Sequence, residues 1–195
     1  DLASMTEKQR ALEIIGQARP NLEALSDAIW DHPEVGYHES FAADALCAFL
    51  EENGFQVERN LAGIPTAFSG SYGSGAPVIG LLGEFDALPG MSQKAGCFEK
   101  CAAADGGPGH GCGHNLLGVG SLAAALGVKA YLEAGHTGTV KFFGCPAEEG
   151  GSGKGFMARA GVFQGLDAAF SWHPGDLNSV STESTSWFSE RRAMK

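Results

Sequence analysis

Three apolar runs in this chain each stop at residues able to bind a cation, and that repetition constrains its fold more than any other feature. Val78–Gly83 lead into Glu84-Phe85-Asp86, Val140–Gly144 lead into Cys145 and then Glu148-Glu149, and Ala168–Trp172 lead into His173. Short apolar runs bounded by turn residues read as buried strands. Between the first two lies GHGCGHN, with Cys112 and His114 two residues apart, followed by an apolar helix. In an open α/β sheet, ligands collect outside the carboxyl ends of the strands. Four separate positions would then deliver Cys, His, Glu and Asp to one sheet edge, a pattern suited to a metal-dependent hydrolase.

The remaining segments supply the layers around such a sheet. Residues 6–31 have Leu12, Ile15, Leu22, Leu25 and Ile29 at helical spacing, with Pro20 opening a second segment and His32-Pro33 stopping it. A second helix spans 39–53, with Phe41, Ala45, Leu46, Phe49 and Leu50 on one face and Asn53-Gly54 as its stop. Strands are expected over 55–58, 66–72, 78–83, 138–145, 168–172 and 178–185, and helices over 116–134 and 155–160. Residues 87–113 form a long loop, a length that compact domains commonly reserve for function. Alternating strands and helices imply an α/β fold: a mixed, mostly parallel sheet flanked by helices in three layers.

Thiolate and imidazole both bind zinc or similar ions, and the glycines beside Cys112 let it and His114 face one ion. His110, two residues earlier, is a weaker candidate. Glu148 and Glu149 are neighbours in an extended stretch, so their side chains point apart. One can bind metal while the other accepts a proton from the attacking water. Asp86 ends a buried strand, where a carboxylate needs a partner, such as the ring N–H of a ligand histidine. His173, at a third strand end, is a further ligand candidate. A Cys112 nucleophile with His114 as base is the less favoured chemistry, and Cys97 and Cys101 read as packing or surface thiols.

Bulk properties narrow the partners. The net charge of −10 over 195 residues disfavours nucleic acid and anionic membranes. No apolar run reaches the roughly 18 residues of a membrane span. Five cysteines, an odd number, suit free thiols in a reducing compartment, so a cytoplasmic location is expected.

The series HPEVGYHES, GEFDALPG, GHGCGHN, CPAEEGGSGK and WHPGD resembles the aminoacylase/carboxypeptidase metallopeptidase family, in its amidohydrolase subfamily. The motifs run in order from about residue 30 to residue 183. The resemblance implies a two-metal hydrolase of N-acyl or N-aroyl amino acids, p-aminobenzoyl-glutamate among them. It implies Cys112, His114, Glu149 and His173 as ligands, Glu148 as general base and Asp86 as a strand-end partner. Zinc or manganese is the expected metal, with cobalt also compatible, and the parent protein would be a homodimer or pair with a related subunit. Asn115 departs from the Asp many relatives carry there. Residues 1–195 are expected to be the N-terminal part of the catalytic domain, without the dimerisation/lid domain or the last ligand histidine. A fragment that binds metal or a partner without turnover is therefore the alternative.

Overall fold

The computed structural model describes residues 6–177 and 179–180. The elements run α1 (Glu7–Asp31), α2 (Ser40–Glu52), β1 (Gln56–Arg59), β2 (Phe68–Ser74), β3 (Val78–Glu84), α3 (His114–Glu133), β4 (Gly138–Cys145), α4 (Glu148–Gly151), α5 (Gly153–Arg159) and β5 (Ala168–Phe170). The five strands form one sheet in the order β1-β2-β4-β3-β5. β3 pairs in parallel with β4 and β5, while β2 pairs antiparallel with β1 and β4. The sheet is thus mixed, and the three apolar runs of the sequence are its parallel part. Their register aligns Glu84 with Cys145, so β3 and β4 finish level with one another.

Alternation along the strands divides the core between two faces. Val140 and Phe142 face α1, α2 and α3, packing with Ile29, Leu46, Leu50, Leu81, Phe85 and Leu122. Phe143 and Cys145 face the other way, against Leu61, Met157 and Phe163. The second cluster is smaller and is covered by α5 and the turns around it.

Local chemistry explains most boundaries. Thr6 starts α1 with a reciprocal cap: Gln9 N donates to Thr6 Oγ1 at 3.3 Å, and Thr6 N donates to Gln9 Oε1 at 2.9 Å. α1 runs unbroken through Pro20, where the sequence predicts two segments. An interior proline costs about 3 kcal/mol, and burial of Leu22, Ser26 and Ile29 beyond it, in a helix packed along α3, offsets that cost. α2 takes its cap from upstream: the Glu34 carboxylate accepts from Phe41 N at 3.0 Å and Ala42 N at 3.1 Å.

α3 begins at His114, two residues earlier than its apolar pattern indicates, after Gly113 in the left-handed region (φ 86°). It has the length and mean hydropathy of a membrane-crossing helix, contrary to the sequence expectation, yet 61% of that stretch is buried inside the fold. It is a core helix packed between α1 and β3. Gly118 lets it approach, since a Cβ there would lie 2.7 Å from Glu84 O.

The 87–113 segment has neither helix nor strand, but it is tied at its base and along its length. Leu88 N and Gly109 N each donate to the other's carbonyl at 3.0 Å, Ser92 N donates to Gly107 O at 3.0 Å, and Lys94 N donates to Cys101 O at 2.8 Å. β5 stops at Phe170, so His173 lies beyond the strand rather than at its last residue. The strand expected over 178–185 lies outside the described residues apart from 179 and 180.

Phe142 is fully buried at the centre of the larger cluster. Phe142→Ala is expected to destabilise the protein by about 3–5 kcal/mol, read as a lower urea midpoint with an unchanged slope.

Candidate metal centre

His114, the first residue of α3, is wholly buried, and acids meet it on both ring nitrogens. On one side Nδ1 lies 2.9 Å from Asp86 Oδ1 and 3.1 Å from Asp86 O, so it donates to this residue. On the other, Nε2 is 3.0 Å from Glu84 Oε2, 3.9 Å from Glu148 Oε2 and 3.9 Å from Glu149 Oε1. The Glu84 contact is close but misaligned, leaving Nε2 buried without a true hydrogen bond. Glu84 and Asp86 reach one site because side chains two apart in an extended chain share a face.

The second Asp86 oxygen fixes another element. Oδ2 accepts from Glu149 N at 2.8 Å, linking the end of β3 to the turn after β4. That turn starts at Ala147, held at φ 54° and ψ 45°, and continues through an irregular α4. A non-glycine residue in the left-handed region costs about 1–2 kcal/mol, so surrounding contacts must impose this bend. The stretch is therefore a turn rather than the extended chain expected from the sequence, and the paired glutamates do not point apart: both carboxylates reach His114 Nε2, Glu148 being 43% exposed and Glu149 20% exposed with a buried, unpartnered Oε1.

Cys112 and His173 form the open side. Cys112 Sγ lies 3.2 Å from His173 Nε2, whose ring is edge-on to His114 with centroids 5.6 Å apart. His173 Nδ1 donates to Pro174 O at 2.9 Å, which turns Nε2 toward the sulfur. Trp172 seats this segment on α3, donating from Nε1 to Leu117 O at 3.1 Å. Its ring lies where a Cβ on Gly120 would stand, 2.4 Å from Cζ2.

Two groups of donor atoms result, each within 4.8 Å of one another: Cys112, His114 and His173, and Glu84, His114 and Glu148. His114 belongs to both. Of the residues that the sequence singles out, Cys112, His114, His173 and Glu148 fall in these groups; the expected ligand Glu149 belongs to neither, with Oε1 3.9 Å from His114 Nε2, and Asp86 touches the other ring nitrogen. His110 lies apart: its Nε2 faces Ile29 O at 3.2 Å, with Trp30 nearby. Glu84 and its ion-pair partner Lys154 join the site without having been among those candidates. The two-residue spacing of Glu84 and Asp86 was a usable signal for the first, whereas nothing in the sequence marks Lys154.

The electrostatics follow from these contacts. Burial pushes the Glu84 carboxyl up, but His114 and Lys154 outweigh it and hold it at about 2. Burial pushes His114 down, yet the close contacts of its ring with Asp86 and Glu84, and the charge on both carboxylates, raise it to about 10. The Cys112 thiol is raised to about 11, by burial first and then by Glu149 and the neighbouring acids. Four carboxylates thus converge beside the fixed cation Lys154. Among the described residues, a buried imidazole nitrogen and a buried carboxylate oxygen lack partners. Divalent cations fit this mixed set of sulfur, nitrogen and oxygen donors, and ligation deprotonates both thiol and imidazole.

Comparisons with known proteins place the chain in a family. The profile of peptidase family M20/M25/M40 matches residues 80–185, and the chain belongs to that family. It is 56% identical over 151 residues to a subunit of the p-aminobenzoyl-glutamate hydrolase of Escherichia coli, covering 77% of this chain and 31% of that protein. It is 37% identical over 187 residues to the Xaa-Arg dipeptidase of Mus musculus, covering 89% of this chain and 39% of that one. A Bacillus subtilis structure, described as a dinuclear metal-binding peptidase of the M20 family, matches with a TM-score of 0.68 at 26% identity. That match covers 80% of this chain and 43% of the other. The chain therefore spans about a third of the length of the curated relatives it matches.

The raised His114 pKa has a measurable consequence in metal-free protein. Stability from the protonated ring is fully present below 6.5 and is lost as pH rises through about 10. Glu84 acts in the opposite sense, its contribution present above 4.5 and lost as pH falls through about 2. The difference in urea midpoint between wild type and His114→Gln should shrink between neutral pH and pH values beyond the His114 pKa. A constant difference across that range would contradict the assignment.

Proposed function

We propose that this chain supplies metal ligands and the proton-transfer group of an amidohydrolase that cleaves N-acyl or N-aroyl amino acids. The observation carrying the proposal is the convergence of Cys112, His114, His173, Glu84, Glu148 and Glu149 at one strand-end site. Its likeness to the E. coli p-aminobenzoyl-glutamate hydrolase supports an aroyl-amino acid substrate. That relative is one subunit of its hydrolase, which favours pairing with a second subunit or a second copy here.

Cys112, His114, Glu149 and His173 would hold two divalent cations, zinc or manganese first and cobalt also compatible. When bound, such ions polarise the scissile carbonyl and lower the pKa of water. The protein's own part is proton handling and orientation. Glu148 is the exposed member of its pair, so it faces arriving substrate and can take a proton from the attacking water. It then returns the proton to the leaving nitrogen, as a general base becoming a general acid. Asp86 holds the His114 ring through Nδ1 and fixes Glu149 through its backbone N–H. Glu84, paired with Lys154, adds negative charge beside His114 Nε2 and favours a cation there.

The five free cysteines fit a reducing compartment, which supports a cytoplasmic location. Metal binding without turnover is a second reading.

The test uses the complete protein and a p-aminobenzoyl-glutamate substrate. Wild type should release free glutamate, and Glu148→Gln should lower kcat by about 10²–10⁴-fold while metal content stays unchanged by elemental analysis. Normal turnover in Glu148→Gln would remove it as the base. A complete protein that binds metal but is inert toward N-acyl and N-aroyl amino acids would support metal binding without turnover and overturn the hydrolase reading.

A further inference from the structure

The segment Glu34–Glu39 lies outside the donor groups, yet it ties together the two strand ends that bear the acids. Ala87, next to Asp86, donates its N–H to Glu34 O at 2.8 Å. Tyr37 Oη donates to Gly151 O at 2.6 Å, on the far side of the Glu148-Glu149 turn. Glu39 makes the most telling contacts. Its side chain is fully buried, with Oε1 accepting from Ala147 N at 2.7 Å and Oε2 accepting from Thr66 Oγ1 at 3.1 Å. Among the described residues no cation pairs with it.

A buried carboxylate without a counter-ion is costly, and an apolar side chain would fill the space more cheaply. What Glu39 holds is the first N–H of the left-handed turn that precedes Glu148. The turn is boxed in sterically as well. A Cβ on Gly36 would come within 2.9 Å of Ala147 Cβ, and one on Gly151 within 2.6 Å. Glu39 is itself fixed, standing at the N-cap of α2, whose first N–H groups the Glu34 carboxylate holds.

We infer that Glu39 is a positioning residue for the metal centre: its carboxylate locks the Ala147 bend and thereby aims Glu148 and Glu149 at the His114 side of the site. The inference rests on the metal-site reading above but not on the identity of the substrate. It also gives the HPEVGYHES stretch a task. Glu34 caps α2, Gly36 leaves room for Ala147, Tyr37 holds Gly151, and Glu39 holds the turn.

The test measures Zn²⁺ affinity of the complete protein by competition with a chromophoric chelator, below the melting temperature of each variant. Glu39→Ala should weaken Zn²⁺ binding by about 10- to 100-fold and lower kcat on the aroyl substrate more than it raises KM. Glu39→Gln still offers Oε1 to Ala147 N–H and should bind and turn over close to wild type. A merely structural role would lower the melting temperature without moving the affinity of the folded protein. Wild-type affinity in Glu39→Ala overturns the inference, and so does an equal loss in Glu39→Gln. Should Glu39→Ala fail to fold, Glu39→Asp draws the carboxylate back from Ala147, where the same loss is expected and unchanged affinity overturns the proposal. If wild type binds Zn²⁺ but hydrolyses nothing, the hydrolase reading fails while the affinity series still decides the role of Glu39.

Discussion

The imidazole of His114 is gripped from both sides, and the arrangement of the surrounding residues depends on that grip. Nδ1 donates to Asp86 at the end of β3, while Nε2 faces three further carboxylates. The ring can sit there because α3 opens at this residue and packs against β3 across Gly118. The other oxygen of Asp86 then reaches the turn after β4, so one buried acid sets the ring and the following glutamate together. A site built this way fixes the His114 ring and the Glu149 backbone, and leaves Glu148 and His173 facing solvent.

In metal-free protein, protons hold this geometry together. The charged His114 ring sits between Asp86 and Glu84, Lys154 pairs with Glu84, and the Cys112 thiol is held protonated. A left-handed non-glycine residue at Ala147 adds strain. Strain of this kind gathers at functional sites. The larger hydrophobic cluster, on the far side of the sheet from α5, carries the stability that lets the strand ends hold such a site.

The sheet was legible because its parallel strands are short apolar runs with polar residues after their carboxyl ends, the pattern of a strand that buries both faces; β5 carries the same pattern but is an edge strand with Phe170 exposed. Cys112, His114 and the Glu148-Glu149 pair stood out through ligand chemistry and glycine spacing, and the family resemblance assigned them roles. Other features depend on contacts that no local pattern records. Lys154 meets Glu84 across 70 residues, and Glu39 meets Ala147 across 108. α1 reads as two helices at Pro20, yet tertiary burial carries it through. The start of α3 was hidden because its N-cap is a left-handed glycine rather than a serine, threonine or aspartate. Glu84 was available from strand alternation, two residues before Asp86.

X-ray absorption spectroscopy of the zinc-loaded protein reads ligand type at the metal. With Cys112 as a ligand, one sulfur scatterer is expected at about 2.3 Å with nitrogen and oxygen at about 2.0–2.2 Å, the sulfur signal vanishing in Cys112→Ser. A first shell of nitrogen and oxygen alone in wild type would contradict this ligation, as would a sulfur signal that survives the loss of Cys112.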